Sequence, residues 1–315
     1  MKLKVLVAGA SGFIGTNLLI SLSKNKNFDL FGVFNKKKPN IKKIKFYKLD
    51  LENKTNCLKA TKGIDIVVMC AAKSSGAKVI VNNPMAHLNP NIIINTNMLE
   101  ASYINKVKKF IFISSNTVYP NSIRSMKEKD SHYNFFEKYF IVGWMKKFSE
   151  MMCLMYSKKI KNPMQTLIIR PGNLYGPYDK FSWEESKVIA ATIRKVYEKH
   201  NPIEVWGDGK DIKDFLYIDD FIACLVKLIK KNTGDFNIFN VASGKQTTIR
   251  MVLNKLIKIQ KTKNTNIVYN KNKPSLIPVR KIDISKIRKF IGWYPKISID
   301  RGLKKTLDWY KKNPE

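Results

Sequence analysis

Gly9-Ala10-Ser11-Gly12-Phe13-Ile14-Gly15 is the stretch that decides the fold. It follows Val5-Leu6-Val7-Ala8, a continuous apolar run of the kind a buried strand needs, and it opens a helical pattern. In that setting three glycines at this spacing form a dinucleotide fingerprint. Gly9 permits the tight turn, Gly12 lets the backbone approach a pyrophosphate, and Gly15 lets helix and strand pack closely. The helix N-terminus offers its unpaired N–H groups to the anion, and Ser11, Phe13 and Ile14 complete the expected coenzyme loop. The bland alternative is a glycine-rich turn with no ligand.

Beyond this loop, short apolar runs alternate with amphipathic helical patterns over the first 250 residues. Leu30–Phe34, Ile64–Met69, Phe110–Ile113 and Thr166–Ile169 are β-branched or aromatic and continuous, as strands covered on both faces must be. Strand-helix-strand repetition predicts an α/β fold, a Rossmann-type doubly wound parallel sheet, because parallel neighbours need a crossover between them. After Asn173 the rhythm loosens around the turn-rich Trp206-Gly207-Asp208-Gly209. The expected division is a dinucleotide-binding domain over residues 1–172, with interleaved segments to about 250, and a smaller α/β C-terminal substrate lobe over 173–315.

The second strand ends at Phe34, where an NAD enzyme commonly places Asp or Glu against the ribose 2′-hydroxyl. Asn35-Lys36-Lys37-Lys38 stands there instead, which suits the 2′-phosphate of NADP over NAD; in so lysine-rich a chain the run is alternatively mere composition. Asp50 and Leu51 are expected at the adenine, and Ala71-Ala72-Lys73 along the coenzyme groove, unless these are strand-end residues with a packing role only.

Composition narrows the classes. The 315 residues hold 58 Lys and Arg against 24 Asp and Glu, a formal charge of +34. Such a charge raises nucleic-acid binding as a reading. The lysines, however, are spread along the whole chain beside abundant Asn and Ile, as a bias toward AT-rich codons would leave them, so no dedicated nucleic-acid partner is expected. Cys57, Cys70, Cys153 and Cys224 lie far apart, and His87, His132 and His200 are scattered; reduced thiols and no metal are the expectation. No apolar run approaches the roughly 20 residues a membrane span needs. Met1–Val7 enters a strand pattern without the features of a signal peptide, so a cytoplasmic protein is expected.

Three further segments carry a resemblance: Ser114-Ser115-Asn116-Thr117-Val118-Tyr119-Pro120, Arg170-Pro171-Gly172-Asn173-Leu174-Tyr175-Gly176-Pro177 and Asp214-Phe215-Leu216-Tyr217-Ile218-Asp219-Asp220. With the glycine loop they resemble the extended short-chain dehydrogenase/reductases over essentially the whole chain. Within that superfamily the sequence is similar to the nucleotide-sugar epimerase/dehydratase branch, above all to the GDP-L-fucose synthase group, through Tyr175-Gly176-Pro177-Tyr178-Asp179-Lys180-Phe181. The resemblance implies a Ser, Tyr and Lys catalytic set. Ser115 matches the serine and Lys146 the lysine, which also reaches the coenzyme ribose. The tyrosine belongs four residues before the lysine, so that one helix face presents both and the ammonium lowers the phenol pKa. That position is Val142.

Valine donates no proton, and three readings follow: the acid/base group comes from elsewhere, the chain is a member that has lost the reaction, or this position has been altered. Tyr139, about 4.5 Å along the helix axis from position 142, is one substitute. A proton relayed through water by Ser115 or Thr117 is another. The resemblance also assigns an epimerisation acid and base to the positions of Thr117 and Lys187. Threonine is a poor base, and Lys187 serves only with a depressed pKa or as an anion contact, unless it is a surface lysine at a helix start. The expected function is therefore an NADP-dependent nucleotide-sugar oxidoreductase acting at sugar C4 without 3,5-epimerisation. A 4-epimerase, a 4,6-dehydratase and a catalytically impaired binding homologue are the alternatives.

For the substrate, Asn173 is expected at the sugar or its diphosphate, with Lys187, Lys213 and Arg280 at the diphosphate or base. Lys213 replaces a family arginine, turning a forked grip into a point charge. Trp206 either stacks on the nucleobase or fills the lobe interface, with packing preferred; Arg194 sits equally well on a solvated helix face. The resemblance further implies a homodimer through the segments 91–105 and 143–157.

Overall fold

The computed structural model describes residues 2–73, 83, 85–262, 264–273 and 277–314. Its centre is a seven-stranded sheet in the order β11-β6-β5-β4-β1-β2-β3, built from β1 (Leu3–Ala8), β2 (Phe28–Phe34), β3 (Lys45–Lys48), β4 (Ile66–Met69), β5 (Lys109–Ile113), β6 (Gln165–Pro171) and β11 (Phe236–Val241). Every pairing within it is parallel. The order reverses between β1 and β4, and that switch point is where an open α/β sheet leaves a crevice at the carboxyl ends of its strands.

Side chains alternate across this sheet, and each face has its own apolar layer. Leu6, Ala8, Val67, Met69, Phe110 and Phe112 pack beneath α2 (Lys54–Thr61), α3 (Met85–Ile104) and α4 (Phe140–Lys158). Val5, Val7, Val68, Ile111, Ile113, Leu167 and Ile169 face α1 (Phe13–Leu22) and α6 (Ile218–Lys230). Both faces being covered is why the strands read as unbroken apolar runs. The expected strand at Ile64 begins at Ile66, because the Asp65 carboxylate turns aside to accept the Lys4 N–H at 2.9 Å.

The later chain adds three two-stranded pieces. β7 (Asn173–Tyr175) pairs with β10 (Phe215–Tyr217), β8 (Ile203–Trp206) with β13 (Ile267–Asn270), and β9 (Ile212–Lys213) with β12 (Thr247–Thr248). Helices α5 (Val188–Tyr197), α7 (Ile249–Gln260) and α9 (Ile299–Lys312) pack together around them, while α8 (Ser285–Ile291) lies near β11. The C-terminal segment is pinned to α6: the Asp220 carboxylate accepts the N–H groups of Lys296 and Ile297, and Trp293 donates to the Asp220 carbonyl. Among the described residues no helix is long and apolar enough to cross a membrane, and no three His, Cys, Asp or Glu side chains gather as metal ligands.

Candidate functional site

The glycine loop leaves β1 at the switch point. Gly9 has φ +82°, and a Cβ there would lie 2.6 Å from the Ala71 backbone; a Cβ on Gly15 would collide with the Gly9 carbonyl. Gly12 caps α1 with no side chain satisfying the helix end, and Ser11 and Gly12 are exposed. The result is a bare helix N-terminus at the mouth of the crevice, which fits a dinucleotide pyrophosphate. Ala71, Ala72 and Lys73 follow β4 beside the loop. Asn91 on α3 clamps Lys73, accepting its N–H and donating to its carbonyl, both at 2.9 Å, and the Lys73 ammonium pairs with Glu52 at 2.5 Å. Asn35 and Lys36 are exposed beyond the end of β2. Asp50 is exposed and accepts the Glu52 N–H, while Leu51 is buried. The coenzyme-loop residues are thus gathered at one edge of the sheet.

Ser115 and Thr117 follow β5 in a short 3-10 turn, where the Ser115 hydroxyl accepts the Thr117 N–H at 3.1 Å. Lys146 lies on α4 one turn after Val142. Its ammonium donates to the Ile113 carbonyl at 3.0 Å and sits 4.9 Å from the centre of the Phe112 ring. Burial drives Lys146 down to about 8, with Glu150 and Cys70 pulling back. Ser115, Thr117 and Lys146 therefore meet at the end of β5, and no phenol occupies the position between them at 142. Tyr139 does not continue the α4 face as a helical residue. It ends a separate 3-10 turn (Glu137–Tyr139) and caps α4, with φ −120° and ψ 11°.

On the substrate side, Asn173 leaves β6 for β7, and the Asn116 amide ties the Ser115 turn to that crossing by donating to the Pro171 carbonyl at 3.1 Å. Arg280 is 1% exposed and donates to the Pro120 and Tyr119 carbonyls. Three buried polar atoms here have no partner among the described residues: Thr117 Oγ1, Asn173 Oδ1 and Arg280 Nε. Lys187, at the N-cap of α5, lies 3.8 Å from the Asp179 carboxylate and 5.6 Å from the Phe13 ring, so it joins the coenzyme loop to the substrate side. Asn17 makes a second link, its amide donating to Pro177 at 2.9 Å.

Other expected residues stand differently. The Lys213 ammonium is engaged by Asp211 at 3.2 Å and by the Ile277 carbonyl, so its charge is partly committed before any ligand arrives. Trp206 does not fill an interface: it is 39% exposed on an edge strand, with Lys273 above its ring. Arg194 stacks on Trp183 at 4.2 Å and pairs with Glu198.

Sequence reasoning gave no role to Glu150 or Asp179. Glu150 is 3% exposed, takes both forks of Arg170 at 2.8 and 2.6 Å, accepts the Ser114 hydroxyl, and faces the Lys146 charge. Its spacing of four from Lys146 was the available signal. Asp179 is buried, which raises its carboxyl, and Lys187 opposes that shift.

The chain is similar to known proteins in both sequence and fold. The family described as NAD dependent epimerase/dehydratase matches residues 5–242. GDP-mannose 3,5-epimerase 1 of Oryza sativa subsp. japonica is 28% identical over 323 residues, 100% of this chain and 83% of its own. GDP-L-fucose synthase 1 of Arabidopsis thaliana is 31% identical over 261 residues, 78% of this chain and 77% of its own. Among solved structures, a UDP-glucuronic acid 4-epimerase from Bacillus cereus, in complex with UDP-glucuronic acid and NAD, superposes with a TM-score of 0.86 at 25% identity, covering 98% of this chain and 99% of that one.

Proposed function

The chain belongs to the NAD dependent epimerase/dehydratase family, and from that premise we propose that it binds NADP and a GDP-linked sugar and performs redox chemistry at sugar C4 without 3,5-epimerisation. One observation carries the substrate half: Thr117 Oγ1, Asn173 Oδ1 and Arg280 Nε are buried without partners on the segments that follow β5 and β6 and on the strand-like segment beside them. Unpaired buried polar groups are costly, so a polar ligand that completes all three is the economical explanation. The sugar hydroxyls would meet Thr117 and Asn173, the diphosphate Arg280 with Lys187 and Lys213, and the base the exposed face of Trp206.

For the coenzyme half, Gly9, Gly12 and Gly15 hold the pyrophosphate and the Asn35–Lys38 corner favours a 2′-phosphate. When bound, the dinucleotide supplies the hydride chemistry. Lys146 holds the ribose hydroxyls, and Ser115 and Thr117 pass the proton through water in place of a phenol at 142. A cytoplasmic homodimer completes this reading. Phe140, Trp144, Phe148, Met151 and Met155 form an exposed apolar stripe at helical spacing along α4, which a second copy would cover.

The test is oxidation of NADPH by the purified chain with a panel of GDP-linked 4-keto sugars. Turnover with at least one supports the reading. Tight coenzyme binding with no turnover favours a second one, a binding protein that kept the cradle and lost the reaction, which Val142 supports.

A further inference from the structure

Helix α1 reaches across to the substrate side through Asn17. The Asn17 amide donates to the Phe13 carbonyl, in the first turn of its own helix, at 2.8 Å and to the Pro177 carbonyl at 2.9 Å. That first turn is tied to the glycine loop: the Thr16 hydroxyl donates to the Ala10 carbonyl at 3.1 Å, and the Thr16 N–H to the Gly12 carbonyl at 2.9 Å. Among the described residues no side chain caps α1 at Gly12, so an anion bound there would restrain the same turn that Asn17 grips.

On the substrate side, Pro177 enters a constrained turn. It follows β7, the strand that begins with Asn173. Gly176 has φ +148° and Tyr178 has φ +67°. A non-glycine residue in the left-handed region is strained and persists only where its surroundings fix it. Tyr178 is exposed, with its ring 5.1 Å from that of Trp309. The Pro177 carbonyl belongs to the peptide plane that leads into Tyr178, so the Asn17 bond orients the plane on which that φ depends. Two residues beyond Pro177, the Asp179 carboxylate faces the Lys187 ammonium at 3.8 Å, and that ammonium lies 5.6 Å from the centre of the Phe13 ring. Both links therefore close on the first turn of α1.

Resting on the nucleotide-sugar reading, we propose that Asn17 is a positioning residue: it transmits occupancy of the coenzyme loop to the turn after β7, so that a bound dinucleotide holds the substrate side ready for a nucleotide diphosphate. Coupling between two ligands is reciprocal, so each tightens the other by the same factor.

Calorimetric titration of the full chain with GDP, without and with saturating NADPH, reads this factor in the unmodified protein, in Asn17→Ala and in Asn17→Leu. The first substitution removes the amide, the second keeps most of its bulk, and a melting curve checks the fold of each. NADPH is expected to tighten GDP about 5- to 10-fold in the unmodified protein, and about 1-fold in both variants, while NADPH alone binds all three proteins equally. A merely structural role would lower stability and leave the factor in place. A factor of one in the unmodified protein, or a full factor retained in a folded variant, overturns the role of Asn17 and leaves the nucleotide-sugar reading standing. Loss of NADPH binding by the variants in the absence of GDP also overturns it, moving Asn17 into the coenzyme site. An unmodified protein that binds NADPH but not GDP overturns both.

Discussion

The loop Gly9–Gly15 and the start of α4 both lie toward the carboxyl ends of the strands of one sheet, and they differ in what they present there. In the loop every requirement is met: a positive φ at Gly9, no room for a Cβ at Gly9 or Gly15, and a helix end left bare at Gly12. At the start of α4 the surrounding charges are in place, and position 142 carries a valine with no oxygen to offer. Lys146 is half-buried with its pKa lowered to about 8, Glu150 is fixed by Arg170 and Ser114, and Val142 stands between Lys146 and the helix cap. Holding a coenzyme and moving a proton are thus separable demands on the sequence. The first rests on backbone shape spread over several residues, the second on one oxygen atom.

The sharpest way to press the comparison is Val142→Tyr. A positioned acid/base contributes roughly 10²- to 10⁴-fold, so NADPH oxidation should rise within that range while coenzyme affinity stays level, read by steady-state kinetics beside a binding titration. An equal rate in the two proteins would mean the missing oxygen is not what limits the reaction.

The loop can be broken in return. Gly9→Ala places a methyl group 2.6 Å from the Ala71 backbone in a left-handed conformation, and should lower stability by about 2–3 kcal/mol in urea unfolding while abolishing NADPH binding. Survival of full affinity would remove the loop from the coenzyme claim.

Lys36→Glu with Lys38→Glu is expected to weaken NADPH about tenfold and leave NADH unchanged, since one phosphate contact is worth about 1–2 kcal/mol. Equal losses for both coenzymes would assign those lysines a general electrostatic role.

Stability should also depend on pH. Lys146 in the fold titrates near 8, below the ordinary lysine value of the unfolded chain. Between about 8 and 10.5 the unfolded state binds the extra proton, so stability gains a contribution as pH rises through that window. Unfolding curves at pH 7 and pH 10 should show the unmodified protein gaining relative to Lys146→Met. No difference in slope would mean that the ammonium is better solvated than its place over Phe112 implies.

How much of this was legible depended on whether the signal was local. The parallel sheet, the glycine loop and the strand ends carrying Ser115 and Asn173 follow from periodicity and spacing, because each strand is buried on both faces and each motif sits at a strand's end. Arg280 was named as a contact, but its 1% exposure and unpaired Nε depend on the Tyr119–Pro120 turn 160 residues away in sequence. The same holds for the Ile277 carbonyl that engages Lys213, and for the contact that brings Lys187 to Phe13. Packing at the lobe interface is the preferred expectation for Trp206, whereas its strand pairs with β13 and leaves the residue 39% exposed. Glu150 was visible as a spacing of four from Lys146, although only its contact with Arg170 gives that spacing a purpose.

On the proposed function, the glycine loop and the substrate side bind both a phosphorylated dinucleotide and a nucleotide diphosphate, while position 142 contributes nothing to either. The most direct measurement is an equilibrium titration of the unmodified chain with NADPH, with and without saturating GDP. One NADPH per chain, bound more tightly than NADH, with GDP alongside it and no displacement, is the expected result. Failure to bind NADPH, or competition between NADPH and GDP for a single site, would contradict it.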